Sequence, residues 1–250
     1  MAADREMAAG RPLERSIGTL MTIAENIARI RANMAAAARE AGRDPKEILL
    51  VGASKMNDAA ACREAVAAGI DALGENRVQE MVQKLEQHAY DGAPLHFIGH
   101  LQRNKVKQVV GHVALIQSVG SLELLDEIEK VAAARGLVQD ILLEVNIGRE
   151  AAKSGFAPEK VLPAAEAALE RTHVRVRGLM TIPPADAQRD ANFRYFQEVQ
   201  ALYVDMNQKL FHNELEYLSM GMSGDYEDAI RAGATMVRVG SAIFGARHYN

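Results

Sequence analysis

The stretch Ile48-Leu-Leu-Val-Gly-Ala-Ser-Lys55 is an apolar run that ends in a single lysine, and the chain turns polar directly afterwards at Met56-Asn57-Asp58. A short apolar run bounded by polar residues predicts a buried strand. A lysine at the end of such a strand ordinarily does no more than meet solvent. Where its neighbours keep the amine partly desolvated, however, a lysine in this place suits covalent chemistry with a carbonyl group. Lys55 is therefore a candidate functional residue, and the support for this role must come from the rest of the chain.

Short apolar runs of this kind recur along the chain and alternate with helical patterns. They cover residues 48–54, 72–74, 95–99, 115–119, 141–147, 176–182, 217–221 and 236–239. Helical periodicity fills the intervals, for example at residues 59–68, 76–88, 122–134 and 192–210. Strands separated by helices predict parallel βαβ units, and eight of them predict a closed (β/α)8 TIM barrel. A doubly wound open sheet is the runner-up, weakened because no Gly-x-Gly-x-x-Gly motif follows the first strand.

The sequence predicts one α/β domain. Residues 1–12 are expected to be a flexible N-terminus, and residues 13–250 a single barrel domain. An extra amphipathic helix over residues 13–41 precedes the first strand, and Gly42 and Pro45 then supply a stop signal. Because no linker rich in proline, glycine or serine divides the chain, we expect no second domain.

Bulk composition excludes several classes of protein. The chain has 250 residues, of which 48% are hydrophobic, so a sizeable core forms without disulfides. The formal net charge of -4 gives no electrostatic argument for nucleic-acid binding. A single cysteine, Cys62, fits a reducing compartment. Since no apolar run reaches the length of a membrane span and the N-terminus lacks the apolar core of a signal peptide, we expect a soluble cytoplasmic protein without membrane partners.

Polar residues and glycines collect at one end of the predicted strands. Lys55 follows the first strand, Glu75-Asn76-Arg77 the second and His100 the third, while Asn146 lies at the end of the fifth. In a TIM barrel the functional residues lie at the carboxyl ends of the strands. The sequence therefore predicts a site at this rim.

Two histidines near the third strand raise the alternative of a metal site. His96 and His100 are four residues apart, and Glu75 or Glu144 would supply a carboxylate. No third histidine lies near them in the sequence. Interior polar packing is the better interpretation, and we expect no metal.

The strongest local signal is the pair of loops after the seventh and eighth predicted strands. Gly221, Ser223 and Gly224 follow the seventh strand, and Gly240-Ser241 follows the eighth. Glycine lets the backbone approach an anion closely, and Asp225 is suited to cap the helix that follows. A helix N-terminus adds free N–H groups. Since phosphate sites of TIM barrels commonly lie after strands seven and eight, the two loops predict a phosphate site.

A phosphate site combined with a lysine at the rim suggests a phosphorylated carbonyl ligand. Pyridoxal 5′-phosphate (PLP) satisfies both requirements, with its aldehyde on Lys55 as a Schiff base and its phosphate in the loops. A lysine-dependent sugar-phosphate aldolase satisfies them too. Residue spacing does not separate the two chemistries.

Longer motifs resemble one known family. They are Gly74-Glu-Asn-Arg-Val-Gln-Glu80, His96-Phe-Ile-Gly-His-Leu-Gln102, Lys153-Ser154-Gly155, Arg177-Gly178-Leu179-Met180, Leu218-Ser-Met-Gly-Met-Ser223 and the long segment 232–247. In this order they are similar to the pyridoxal phosphate homeostasis proteins, a family related to the N-terminal barrel of alanine racemase. The resemblance extends from about residue 13 to the C-terminus.

This resemblance implies a PLP barrel of fold type III with the cofactor on Lys55. It implies that Ser223, Gly240 and Ser241 contact the phosphate, and Gly224 belongs to the same loop. The family likeness thus favours PLP over a sugar phosphate as the ligand.

The resemblance also implies that Arg238 faces the pyridine nitrogen. The alternating pattern of residues 236–239 places Arg238 on the strand face opposite Val237 and Val239, consistent with the barrel interior. A guanidinium only donates hydrogen bonds, so the ring nitrogen opposite it is expected to be unprotonated and a poor electron sink. Asn76 and Met220 are expected near the cofactor, Asn76 as a hydrogen-bonding partner that orients it.

The expected role is to hold the cofactor. Alanine racemase uses two bases, one of them a tyrosine from a second, β-rich domain, whereas this sequence ends at Asn250 directly after the eighth strand. We therefore expect no C-terminal β-domain, and a PLP-binding protein that stores PLP or delivers it to PLP-accepting apoenzymes within intracellular PLP homeostasis. The alternative is a weak amino-acid racemase with Lys55 as its only base. Loss of the racemase's second domain removes a usual dimer contact, which is compatible with a monomer.

Overall fold

Eight parallel strands form a closed barrel in the computed structural model, which describes residues 21–151, 154–184 and 189–245. The strands are β1 (Leu49–Ala53), β2 (Ala72–Glu75), β3 (Leu95–Phe97), β4 (Leu115–Val119), β5 (Gln139–Val145), β6 (Val174–Thr181), β7 (Tyr217–Ser219) and β8 (Met236–Val239). Each strand pairs with its neighbour in chain order, and β1 pairs with β8 to close the ring. The predicted (β/α)8 TIM barrel is confirmed.

Helices connect the strands and surround the barrel. They are α1 (Ile23–Glu40), α2 (Ala59–Ala67), α3 (Val78–Glu86), α4 (Val106–Val109), α5 (Leu122–Ala134), α6 (Val161–Leu169), α7 (Arg189–Leu210), α8 (Tyr226–Arg231) and α9 (Ser241–Phe244). Short 3-10 turns occupy Pro45–Glu47, Arg103–Lys105 and Pro158–Lys160. The bounds of β4, α5 and β8 agree with those that the sequence predicts. Among the helices in the described ranges, none combines the length and the apolarity that crossing a bilayer requires.

The helix before the barrel begins later than the sequence predicts. Its N-cap is Thr22, whose backbone is extended (φ -66°, ψ 163°). The Thr22 hydroxyl accepts from the Glu25 N–H at 3.2 Å, and the Glu25 carboxylate accepts from the Thr22 N–H at 2.8 Å. This capping box satisfies N–H groups that have no partner inside the helix, so it fixes the start of α1. The prediction of one continuous helix from residue 13 is therefore wrong, because α1 begins after Thr22. Residues 13–20 and the predicted flexible segment 1–12 lie outside the described residues.

α1 covers the side of the barrel next to the last two strands. Its buried face includes Ile27, Ile30 and Met34. The Asn26 side chain donates to the carbonyl of Ile243 in α9 at 3.0 Å, and the Asn33 side chain donates to the Tyr226 hydroxyl in α8 at 3.1 Å. The extra helix thus anchors the short helices that follow β7 and β8.

Two hydrophobic clusters follow from the alternation of side chains along the strands. The smaller one fills the barrel and consists of Val51, Ala72, Leu115, Leu142, Met180 and Met236. The larger one lies between strands and helices and takes strand residues of the opposite parity, such as Leu50, Leu73, Ile116 and Val237. Polar residues that share the parity of the smaller cluster therefore point into the barrel.

The loops after β2 and β3 meet at the carboxyl edge of the barrel. β3 ends at Phe97, two residues before the end that the sequence predicts. A Cβ on Gly99 would come within 2.2 Å of the Asn76 carbonyl oxygen, an approach that only glycine permits. Asn76 and His100 are brought to the same part of the rim by this contact.

Candidate functional site

Lys55 lies at the carboxyl edge of the barrel, two residues beyond the end of β1, and is partly exposed. It belongs to a tight turn in which the Asn57 side chain donates to the Lys55 carbonyl at 3.0 Å. The next residue, Met56, has a positive φ of 62°. That conformation is uncommon for a residue with a side chain, so the position of Lys55 is held by an unusual turn.

The loops after β7 and β8 meet at the carboxyl edge of the barrel. The Ser223 hydroxyl oxygen accepts from the N–H of Gly240 at 3.2 Å and from the N–H of Ala242 at 3.4 Å. A Cβ on Gly240 would lie 3.3 Å from the Ala53 carbonyl oxygen at the end of β1. Ser223 and Gly240 therefore lie at one edge with the strand that carries Lys55, and Ser241 is exposed at the start of α9.

The two glycines of the β7 loop differ in whether their surroundings leave room for a side chain. Gly221 has a φ of +92°, and a Cβ would lie 2.5 Å from that of Ala229 in α8. Gly224 is exposed, and a Cβ there would have no heavy atom within 4 Å. Packing thus requires glycine at 221 only, and at 224 the missing side chain keeps the rim open.

Asp225 does not cap α8 in the way that the sequence predicts. It occupies the N-cap position, but its side chain makes no capping bond there. The carboxylate instead accepts from the Met222 N–H at 2.7 Å and from the Asn192 side chain at 3.1 Å. Asp225 therefore ties the β7 loop to α7, and the prediction of a side-chain cap is wrong.

Arg238 points into the barrel, where it is 3% exposed. Its guanidinium donates to the Ser219 hydroxyl at 2.6 Å and to the Thr181 carbonyl at 2.8 Å. Burial lowers the pKa of Arg238 to about 10, while Asp225 and Glu144 act in the opposite direction. The guanidinium therefore remains positively charged at neutral pH.

A chain of hydrogen bonds continues from Arg238 across the barrel interior. The Ser219 hydroxyl, which accepts from Arg238, donates to the Gln117 amide oxygen at 2.6 Å. The Gln117 amide nitrogen donates to His96 Nδ1 at 3.0 Å. Since Nδ1 accepts, the neutral imidazole carries its hydrogen on Nε2. Every donor thus points away from Arg238. The sequence shows Gln117 only as a polar residue in a predicted strand, and Ser219 only as a member of the motif 218–223.

His96 is an interior polar residue, 6% exposed. Burial lowers its pKa to about 4, so it is neutral near pH 7. His100 is exposed and lies beyond the end of β3. Within residues 21–151, 154–184 and 189–245, no group of three histidine, cysteine, aspartate or glutamate side chains is arranged to hold a metal ion.

A cavity of about 230 Å³ opens beside this network, between the ends of β2, β3, β5 and β6. Asn76 lines it, and the Asn76 Oδ1 is buried without a hydrogen-bond partner in the described part of the chain. Glu144 also lines it, with Oε1 accepting from the Ser154 hydroxyl at 3.1 Å and Oε2 buried without a partner among the same residues. Burial raises the pKa of Glu144. Two polar oxygens without a partner among the described residues therefore belong to side chains that line the cavity.

Met220 lies away from this cavity. Its side chain is fully buried in the larger cluster between barrel and helices, and its N–H donates to the Met236 carbonyl at 3.1 Å. A contact between Met220 and the cofactor stays a prediction.

The closed parallel barrel is an alanine racemase N-terminal-like domain, and the family "Alanine racemase, N-terminal domain" matches residues 26–248. The pyridoxal phosphate homeostasis protein of Pseudomonas aeruginosa is 42% identical over 230 residues, covering 92% of this chain and 98% of its own. That of Aquifex aeolicus is 42% identical over 229 residues, covering 92% and 100%. PipY of Synechococcus elongatus, solved with PLP bound, superposes with a TM-score of 0.78 at 31% identity and covers 90% of this chain and 100% of its own.

The chain belongs to the pyridoxal phosphate homeostasis protein family.

The buried His96 predicts a specific dependence of stability on pH. As the pH falls from 6.5 to 4, the unfolded chain takes up a proton at His96 that the folded chain does not, so the free energy of unfolding decreases. The His96→Gln variant should lose less stability over this window, by up to about 3 kcal/mol. Urea unfolding at several pH values measures the difference, with His112→Gln, at an exposed histidine, as the control. Identical pH profiles for wild type and His96→Gln would contradict the prediction.

Proposed function

We propose that this protein binds PLP as a Schiff base on Lys55 and takes part in intracellular PLP homeostasis by storing or delivering the cofactor. Two relatives that match nearly the whole chain bear the name pyridoxal phosphate homeostasis protein, and PipY was solved with PLP bound. When bound, PLP supplies an aldehyde that a lysine amine takes up. Lys55 is the lysine at the carboxyl edge of β1, the strand that pairs with β8.

The contact between the β7 and β8 loops brings together groups suited to a phosphate. The Ser223 hydroxyl accepts from the N–H groups of Gly240 and Ala242, and both groups are donors that a phosphate oxygen would use. On binding, Ser223 would turn its hydroxyl to donate as well. Ser241 would add a second hydroxyl, and Gly224 leaves room above the loop.

Arg238 and Asn76 would hold the pyridine ring. The buried, charged guanidinium would donate to the ring nitrogen and keep a proton off it, since it has no acceptor to offer. Asn76 Oδ1, which is buried and lacks a partner in the described residues, would accept from the ring hydroxyl. An unprotonated ring withdraws electrons weakly, so the arrangement favours holding the cofactor over turnover.

We further propose that the protein acts in the cytoplasm, delivers PLP to apoenzymes that require it and does so as a monomer. The single cysteine of the sequence, Cys62, is a buried free thiol, which suits a reducing compartment. Sustained racemisation, transamination or decarboxylation of an amino acid by the purified protein would contradict a holding role.

The Lys55→Ala variant tests the attachment point. Wild-type protein loaded with PLP should be yellow, and borohydride should bleach the band and leave the label on Lys55, because reduction makes the link permanent. Lys55→Ala should yield no reducible adduct, as read by absorbance and peptide mass spectrometry. Lys46→Ala is the matched control, since Lys46 is exposed near the opposite end of β1 and should leave the adduct unchanged. An equal adduct in Lys55→Ala would disprove the assignment.

The Ser223→Ala variant tests the phosphate site. It removes one hydroxyl from the phosphate and should weaken PLP binding roughly tenfold. Pyridoxal, which lacks the phosphate, is the chemical control and should bind wild type and variant alike. Equilibrium dialysis measures both affinities. Equal weakening for PLP and pyridoxal would place Ser223 outside the phosphate site.

A further inference from the structure

A buried charged cluster lies directly behind the turn that carries Lys55. The cluster consists of Lys84 and Glu80 on α3 and Glu75 at the end of β2. The Lys84 ammonium donates to Glu75 at 2.6 Å and to Glu80 at 2.8 Å. It also donates to the Ser54 carbonyl at 2.8 Å. Lys84 is only 5% exposed, so these contacts replace water around its charge.

The cluster holds the peptide groups on both sides of Lys55. The Ser54 carbonyl, which accepts from Lys84, belongs to the peptide that precedes Lys55. The Met56 N–H, which donates to the Glu80 carboxylate, belongs to the peptide that follows it. The Ser54 hydroxyl adds a bond to Glu75 at 2.6 Å. The backbone of Lys55 is therefore fixed at both of its peptide bonds by one set of charges.

The turn needs such support because Met56 is in a left-handed conformation. Its φ of 62° is disfavoured for a residue with a Cβ, and Met56 is 45% exposed, so core packing gives it little help. The bond from its N–H to Glu80 stabilises the conformation. Without Glu80 the turn is free to relax and to move Lys55 with it.

Burying these charges costs more desolvation free energy than attaching α3 to the barrel requires. Burial alone would lower the pKa of Lys84, but the adjacent carboxylates outweigh it and raise the pKa, so the amine stays charged. Apolar residues of similar volume would attach α3 to the barrel at no desolvation cost. What apolar residues would not supply is a donor for the Ser54 carbonyl and an acceptor for the Met56 N–H.

We propose that Lys84, Glu80 and Glu75 are positioning residues for Lys55, which set how readily its amine bonds to an aldehyde. This rests on the proposed function. In the step concerned, the neutral Lys55 amine attacks the aldehyde carbon, a C=N bond replaces the C=O bond, and the oxygen leaves as water with the two amine hydrogens. The cluster acts in this step through the backbone of the turn, which it bonds on both sides of Lys55.

The Glu80→Ala variant separates positioning of Lys55 from general damage. Glu80 has a side chain exposure of 20%, so its loss is easier for the fold than the loss of Lys84. Two ligands are compared: PLP, and pyridoxamine 5′-phosphate, which shares the ring and phosphate but has no aldehyde. Glu80→Ala should weaken PLP binding about tenfold and change pyridoxamine 5′-phosphate binding by less than about twofold. Glu86→Ala, which removes an exposed carboxylate from the same helix, should change neither affinity.

A second substitution at Glu80 and the hydrogen exchange of the Met56 amide both report on the turn itself. Glu80→Gln retains an acceptor for the Met56 N–H and should restore part of the PLP affinity. Hydrogen exchange of the Met56 amide in ligand-free protein should be slow in wild type and Glu86→Ala and fast in Glu80→Ala. Equal weakening for both ligands, or unchanged PLP affinity, would overturn the positioning role. If wild type forms no bond between Lys55 and PLP, the proposed function fails by itself, and an unchanged Met56 exchange rate would then reject the positioning role separately.

Discussion

The site depends on the burial of the charged Arg238 guanidinium inside the barrel. Removing a cation from water costs on the order of several kcal/mol, and hydrogen bonds must offset this. The Ser219 hydroxyl and the Thr181 carbonyl accept from it, and the chain through Gln117 to His96 continues the network. The level of the barrel around Arg238 is therefore polar, while residues such as Val51, Ala72, Leu142 and Met180 keep the neighbouring interior apolar.

The fold and the outline of the site could be predicted from the sequence because both depend on local patterns. Apolar runs that alternate with helical periods determine a parallel barrel, and β4, α5 and β8 begin and end where their patterns do. A barrel then brings the ends of all strands to one rim. This rule predicts that Lys55, Ser223 and Gly240 lie at one edge, and the parity of β8 predicts that Arg238 points inside, as the structure has them.

The remaining features depend on contacts between distant parts of the chain. Lys84 has the sequence context of an ordinary surface helix, and only the packing of α3 against β2 buries it beside Glu75. The Gln117 and Ser219 side chains are 102 positions apart, so no local period links them. Thr22 and Asp225 show the same limit at helix ends. Thr22 caps its own helix, whereas the Asp225 side chain bonds to another element, and the sequence alone does not distinguish the two cases.

We propose that this barrel holds PLP with its ring nitrogen unprotonated opposite Arg238. Nitrogen-15 NMR of the protein loaded with PLP labelled at the ring nitrogen tests it most directly, because protonation moves that resonance strongly. We expect the shift of an unprotonated pyridine, constant across the neutral pH range. A resonance at the position of a protonated pyridinium would contradict it.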